Sequence, residues 1–249
     1  MKLETRPIPN GVLIFAAGSC IAGIGRHWYR PWLFPLYTPA GQQVLQEFPF
    51  DHPFHNGCFV AQHPVRFNGR EANFWAVPPQ REPDDEVFVD AGRVETLSLQ
   101  PVLRCIWRAA DGAPVLDEER IFTFTVREKE TMCEVVSRKT AAYAELEFPA
   151  TKFGGICVRV EPRLLPVAGA SIIGRHESAS RFVAYENGRF GLALIGDGAV
   201  PWFLRDYGLA SFNPTWKKPL QLEKGATWET RLTLVAYDGE LPSWIASSR

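Results

Sequence analysis

The chain has 249 residues and a mass of 28.0 kDa, and its 46% hydrophobic fraction can fill the core of one large domain, which excludes a disordered or collagen-like chain. Its 27 basic and 28 acidic residues leave a net charge of -1, so no overall positive field draws nucleic acid or anionic lipid, and neither is expected as a partner. Five scattered cysteines without a Cys-x-x-Cys pair read as reduced thiols of a cytoplasmic protein, while 20 prolines and 20 glycines predict many turns and few long helices.

The first twenty residues admit two readings. A charged start, an apolar stretch over 12–17 and small residues up to Cys20 have the outline of a lipoprotein leader. Against it stand Glu4, Pro7, Pro9 and the Asn10-Gly11 pair, which signals a hairpin turn. No segment reaches the roughly 18–20 uninterrupted apolar residues of a membrane helix, so a soluble protein is expected. Residues 35–56 and 76–85 are rich in loop formers, the second tract holding Pro78, Pro79 and Pro83, and long loops on a β scaffold are where sites are built.

Period-two alternation then dominates. Over 103–108, Leu103, Cys105 and Trp107 alternate with Arg104, Ile106 and Arg108; a turn follows at Asp111-Gly112; and 115–127 bury Phe122, Phe124 and Val126 on one face. With 132–139 these segments predict a three-stranded meander. Further strands are predicted over 155–160, 171–175, 181–185, 189–195 and 228–237, with turns at Asn187-Gly188, Gly196-Asp197-Gly198 and Asp238-Gly239. Only short turns such as 242–246 read as helical. Short strands punctuated every ten residues or so predict an all-β fold, a large antiparallel two-sheet sandwich or a barrel, as a single domain over 1–249.

The densest chemical signal is Asp51-His52-Pro53-Phe54-His55-Asn56-Gly57. Two histidines three apart face opposite sides of a strand, but a proline-bent loop can turn both imidazoles inward. The segment reads as a rigid turn capped by Asp51, as an acid/base histidine with a carboxylate partner, or as two metal ligands. A second motif, Thr151-Lys152-Phe153-Gly154-Gly155, sets an ammonium before a double glycine at a strand entrance, where Lys152 can face a developing oxyanion or simply solvent. A third, Arg205-Asp206-Tyr207-Gly208, can clamp a polar ligand or form an internal ion pair. Aromatic residues near loops, Trp28 and Trp75 among them, suit either the C–H faces of sugars or the core. His27, His63 and His176 stand alone in sequence. No Gly-x-Ser-x-Gly elbow and no glycine-rich phosphate loop occurs.

Four segments, 29–39, 51–57, 151–155 and 205–214, together resemble the PmoA-like family across essentially the whole chain. The resemblance implies a galactose mutarotase-like supersandwich and an association with sugar chemistry. Here Phe54 and Asn56 stand where the family usually has histidine and arginine, and Phe153 where an acidic residue is common. His52, His55, Lys152, Arg205, Asp206 and Tyr207 stay in register.

The expected function is acid/base chemistry on a sugar or oxidised sugar, that is epimerisation, isomerisation or elimination. His52 and His55 exchange protons, Asp51 or Asp206 orients an imidazole, and Lys152 steadies an oxyanion. Arg30, Arg205, Asp206, Tyr207 and Trp75 are the expected substrate-binding residues. A non-catalytic sugar-binding or regulatory sandwich is the alternative. No cofactor is expected; a divalent metal, if one were bound, would take His52 and His55 with a distant carboxylate such as Glu147 or Glu177, for lyase or hydrolase chemistry. The expected partner is a small carbohydrate, and a homodimer is compatible with the sequence.

Overall fold

Turn-forming residues cut the chain into hairpins, and the strands between them are short. In the computed structural model, which describes residues 2–76, 91–99 and 102–247, the first half holds β1 (Leu3–Ile8), β2 (Gly11–Ala16), β3 (Ser19–Gly25), β4 (Trp32–Leu36), β5 (Cys58–Gln62), β6 (Val65–Phe67), β7 (Arg70–Ala72), β8 (Arg93–Ser98), β9 (Leu103–Arg108) and β10 (Pro114–Val126). The second half holds β11 (Glu130–Thr140), β12 (Leu146–Phe148), β13 (Gly154–Arg159), β14 (Ser171–Ile173), β15 (Phe182–Glu186), β16 (Phe190–Ile195), β17 (Trp202–Leu204), β18 (Leu209–Phe212), β19 (Leu220–Leu222) and β20 (Thr227–Asp238). A single α-helical turn, α1 (Ser243–Ala246), follows. The predicted loop tract 76–85 lies, beyond Ala76, outside the described residues.

The strands form two eight-stranded antiparallel sheets. The first runs β1-β2-β3-β4-β5-β13-β18-β17 and the second β14-β15-β16-β20-β11-β10-β9-β8; a four-stranded sheet, β19-β12-β6-β7, is added to them. The expected meander is present, with Asp117 opposite Thr140 and Val126 opposite Thr131 between β10 and β11. The first hairpin turns at Pro9 and Asn10, one residue earlier than the Asn10-Gly11 signal, because Gly11 already pairs with Ile8 on one side and Gly25 on the other. Residues 12–17 lie mostly in β2, and Cys20 lies in β3. Among the described residues no helix is long and apolar enough to cross a membrane.

An aliphatic core fills the space between the two large sheets. Val12, Ile14, Leu33, Val60, Ile156 and Val158 come from the first sheet and Leu116, Val135, Leu192, Leu194, Leu232 and Leu234 from the second, which defines a β-sandwich. Charged residues also enter this core. Glu118 and Arg120 on β10 are fully buried, where simple alternation placed only the phenylalanines. Glu118 accepts from Arg120 Nε (3.0 Å) and Nη2 (2.8 Å), from Ser137 Oγ (2.7 Å) and from Trp107 Nε1 (2.8 Å). Lys139 Nζ donates to Ser137 Oγ at 3.0 Å and lies 4.9 Å from the ring of Trp228. Burial alone would raise the Glu118 carboxyl, but the Arg120 and Lys139 charges and these hydrogen bonds bring it down to about 2; burial lowers Lys139 to about 8.

The first sheet is buried on its other face as well. All residues of β5 and β13 are buried, and outward-pointing Phe59, Ala61 and Cys157 join Tyr29, Trp32, Phe54, Trp75, Phe203, Leu209 and Trp216 in an aromatic cluster. A sheet covered twice has no polar face, so its strands read as near-continuous apolar runs. The loops that cover this outer face carry the site.

Candidate functional site

The loop between β4 and β5 is stitched to β13 through backbone bonds: Gln46 N–H donates to Arg159 O (2.9 Å), Gly57 N–H to Gln46 O (2.8 Å) and Arg159 N–H to Gly57 O (2.8 Å). Within it His55 N–H donates to His52 O at 2.9 Å, closing a turn around Pro53 and Phe54. That turn gives both imidazoles a common direction. Their rings stack with centroids 4.8 Å apart and planes 8° apart.

Asp51 is the hinge of the charges. Its Oδ1 accepts from Arg159 Nη2 at 2.6 Å, and its Oδ2 from Arg159 Nη1 at 3.0 Å, while His52 Nδ1 lies 2.8 Å from Oδ2. Arg159 also donates from Nε to Gln46 Oε1 at 2.9 Å and places its guanidinium 4.9 Å over the Tyr207 ring. Partial burial works to raise the Asp51 carboxyl; the hydrogen bonds from Arg159 and His52 outweigh it and hold the group below its ordinary range. An ionised carboxylate only accepts, so His52 Nδ1 carries the hydrogen and Nε2 is the ring nitrogen turned away from Asp51.

The two histidines are not equivalent. The His52 side chain is 33% exposed and stacks on Tyr207 at 4.6 Å and 18°. His55 is 1% exposed, packed among Phe54, Phe59 and Trp75, and neither of its ring nitrogens has a hydrogen-bond partner among the described residues. Burial, reinforced by His52, Arg30 and Arg159, holds His55 well below the usual histidine range, so it is neutral at pH 7. Burial raises the Tyr207 phenol, which keeps its proton at pH 7.

Other predicted residues fall in different places. Arg30 is not available to a substrate: it is 1% exposed and donates to the carbonyls of Trp75 (2.6 Å), Phe74 (3.4 Å) and Ala76 (3.5 Å), with burial lowering it to about 10. Trp75 is equally enclosed, at 4% exposure, and packs against His55 and Phe153. Both pack beneath the face because the aromatic cluster closes over them. Arg205 is half-buried with its guanidinium 4.4 Å from the Phe203 ring, and Asp206 is exposed beside Tyr207, not paired to a histidine. Lys152 is exposed and reaches the cluster only through the Phe153 ring, 4.9 Å away. Strand packing requires the double glycine: a Cβ on Gly155, whose φ is +90°, would strike Phe212 O, and one on Gly154 would strike Gln62.

Two residues that hold Asp51 in place escape a reading of the sequence, Arg159 directly and Gln46 through it. Their one signal is a lone arginine inside the apolar run 155–160, which a doubly buried strand tolerates only if the charge is paired. Asn56 holds a further junction: it accepts from Phe48 N–H and donates to Tyr29 Oη (2.7 Å) and Pro53 O (3.0 Å). Glu47 accepts from Trp32 Nε1 at 2.7 Å, and burial raises its carboxyl against that bond.

Among the described residues no group of three or more His, Cys, Asp or Glu side chains is placed to hold a metal ion. Stacked imidazoles do not converge on one ion, and the carboxylates considered for it are engaged, Glu147 with Arg66 and Glu177 with Lys217.

No curated protein matches the sequence. Among solved structures, heparan sulfate lyase HepC from Pedobacter heparinus is similar at 10% identity and a TM-score of 0.38, over 94% of this chain and 34% of that one. A polysaccharide lyase is similar at 11% identity and a TM-score of 0.45, over 96% of this chain and 32% of that one. The chain thus spans about a third of the length of these lyases. A galactose mutarotase related enzyme from Lactobacillus acidophilus is similar at 5% identity and a TM-score of 0.38, over 96% of this chain and 100% of that one. Over residues 25–246 the sequence matches the Family of unknown function (DUF6807), and the chain belongs to that family.

Proposed function

We propose that the chain binds a carbohydrate over the outer face of the first sheet and moves a proton on it, in an epimerisation, isomerisation or elimination, with His52 as the exchanging group. The observation that carries this reading is the chain of contacts Arg159–Asp51–His52, which fixes one ring nitrogen on a carboxylate and leaves the other for chemistry. Tyr207, stacked on the same ring, supplies a protonated hydroxyl beside it. Arg205, Asp206 and Lys152 line the exposed rim as hydroxyl partners. His55 acts as a positioning residue, a neutral plate against which His52 is held. Support for a sugar comes from the half-buried Tyr207 ring beside His52 and from the PmoA-like resemblance of four segments.

The burial of His55 favours a second reading, a sugar-binding module without turnover, because it leaves one exposed imidazole where two were expected. Proton NMR in deuterated water separates the two. With a panel of aldoses, uronic acids and 3-keto-glycosides, the first reading predicts faster anomer equilibration or loss of one carbon-bound proton signal. Line broadening without turnover would establish the second.

A further inference from the structure

Next to the dyad, the loops at 26–30 and 47–50 leave large rings in water. Trp28 and Phe48 are each 55% exposed and Phe50 is fully exposed. Phe48 holds a φ of +47°, a conformation a bulky residue adopts only when its surroundings impose it. The imposing group is Asn56, itself 1% exposed, which accepts the Phe48 N–H and ties it to Tyr29 and to Pro53 in the dyad turn. A strained backbone that leaves an apolar ring more than half in water, with edge contacts to Trp32 at 5.8 Å and to His27, marks a surface kept for a ligand.

His27 lies between these rings, with centroids 5.9 Å from Trp28 and 6.3 Å from Phe48, and its buried Nδ1 has no hydrogen-bond partner among the described residues. Beside it opens a cleft of about 440 Å³ lined by Asn10, Arg26, His27, Trp28, Glu95 and Thr96. The mixture of flat rings and charged groups decides the class of ligand. Protein interfaces are depleted of charge at their cores, whereas a sugar ring needs both an aromatic face for its C–H groups and charged partners for its hydroxyls.

We propose that the shelf formed by Trp28, His27 and Phe48, with the adjoining cleft, is an accessory subsite for a second sugar ring, which makes the substrate a glycoside or oligosaccharide and not a free monosaccharide. The inference rests on the reading of the neighbouring dyad as a sugar site. It also assigns Asn56 as the residue that couples the shelf to the dyad turn.

The test is saturation-transfer NMR on the full chain with cellobiose, lactose and gentiobiose against glucose and galactose, titrated to obtain Kd. The disaccharides are expected to bind about tenfold more tightly, the size of one or two aromatic contacts. Trp28→Ala and Phe48→Ala remove that advantage and leave monosaccharide binding unchanged, while His52→Ala preserves the ratio. Monosaccharide binding with no gain for any disaccharide overturns the subsite and leaves the dyad reading standing. Absence of binding by either size overturns the dyad reading and the inference with it. A dimer in light scattering that becomes a monomer on Trp28→Ala assigns the shelf to a second copy and overturns the subsite.

Discussion

Two arginine–carboxylate pairs in this molecule have opposite surroundings. Between the sheets, Glu118 and Arg120 are both fully buried, and Arg120, Ser137 and Trp107 occupy the carboxylate's lone pairs. On the outer face, Arg159 is 4% exposed but Asp51 is 36% exposed and hands one oxygen to an imidazole. Saturated hydrogen bonding makes the first pair chemically inert and tightly placed. The second is a charge half in water, anchored from below, whose remaining valence orients the His52 ring. An arginine–carboxylate pair serves architecture in one place and, in the proposed function, chemistry in the other, and the difference lies in what the carboxylate touches besides arginine.

The largest expected effect breaks the buried pair. Glu118→Ala leaves Arg120 and Lys139 as uncompensated charges in the core and should cost about 3–5 kcal/mol in urea unfolding. Replacing Glu118, Arg120 and Lys139 together with Leu, Met and Met should recover most of that loss, since no charge is then stranded. On the outer face the ranking reverses between stability and activity. Asp51→Asn should cost only about 1 kcal/mol because water and Gln46 take up the Arg159 donors, yet lower turnover by ~10²-fold by releasing His52. Tyr207→Phe keeps the ring stack and removes the hydroxyl. It should reduce turnover by about tenfold with an unchanged unfolding midpoint.

The pH dependence of stability sharpens the contrast. His55 is neutral in the fold while the unfolded chain takes up a proton near its ordinary 6.5, so stability falls as pH drops below about 6.5. Glu118, brought to about 2 from 4.5, contributes fully above pH 4.5, and that contribution fades as pH falls towards 2. Lys139, lowered from 10.5 to about 8, resists protonation in the fold, so stability rises as pH climbs from 8 to 10.5. Urea midpoints across pH should show these windows, and His55→Phe should flatten the one just below 6.5.

What the sequence disclosed follows from how local each signal is. The meander β9-β10-β11 and the hairpin β15-β16 announce themselves through alternation and an Asx-Gly turn, because strand and partner are neighbours in sequence. The pairing of β13 with β5 and β18 joins segments about a hundred and about fifty residues apart, and nothing local specifies it. Charges mislead for a related reason. Glu118, Arg120 and Lys139 alternate as a solvent face would, yet each faces the core, because Glu118 and Arg120 pair along β10 and Lys139 adds its charge from the adjacent β11. In the site, Asp51, His52 and His55 were legible as a proline-bent turn, whereas Tyr207 stood in a separate motif that nothing local sets on the His52 ring. Arg159 was hidden because its contact comes from a loop at residue 51, and Arg30 was expected to bind substrate because its carbonyl partners at 74–76 are set by tertiary packing alone.

The most direct test of the central claim is the rate of solvent deuterium incorporation and anomer equilibration in a panel of aldoses, uronic acids and 3-keto-glycosides, followed by proton NMR for the intact chain and His52→Ala side by side. The account predicts exchange at one carbon, or faster equilibration, that drops by ~10²-fold or more in His52→Ala while its urea midpoint stays unchanged. An equal rate in the two proteins would contradict it.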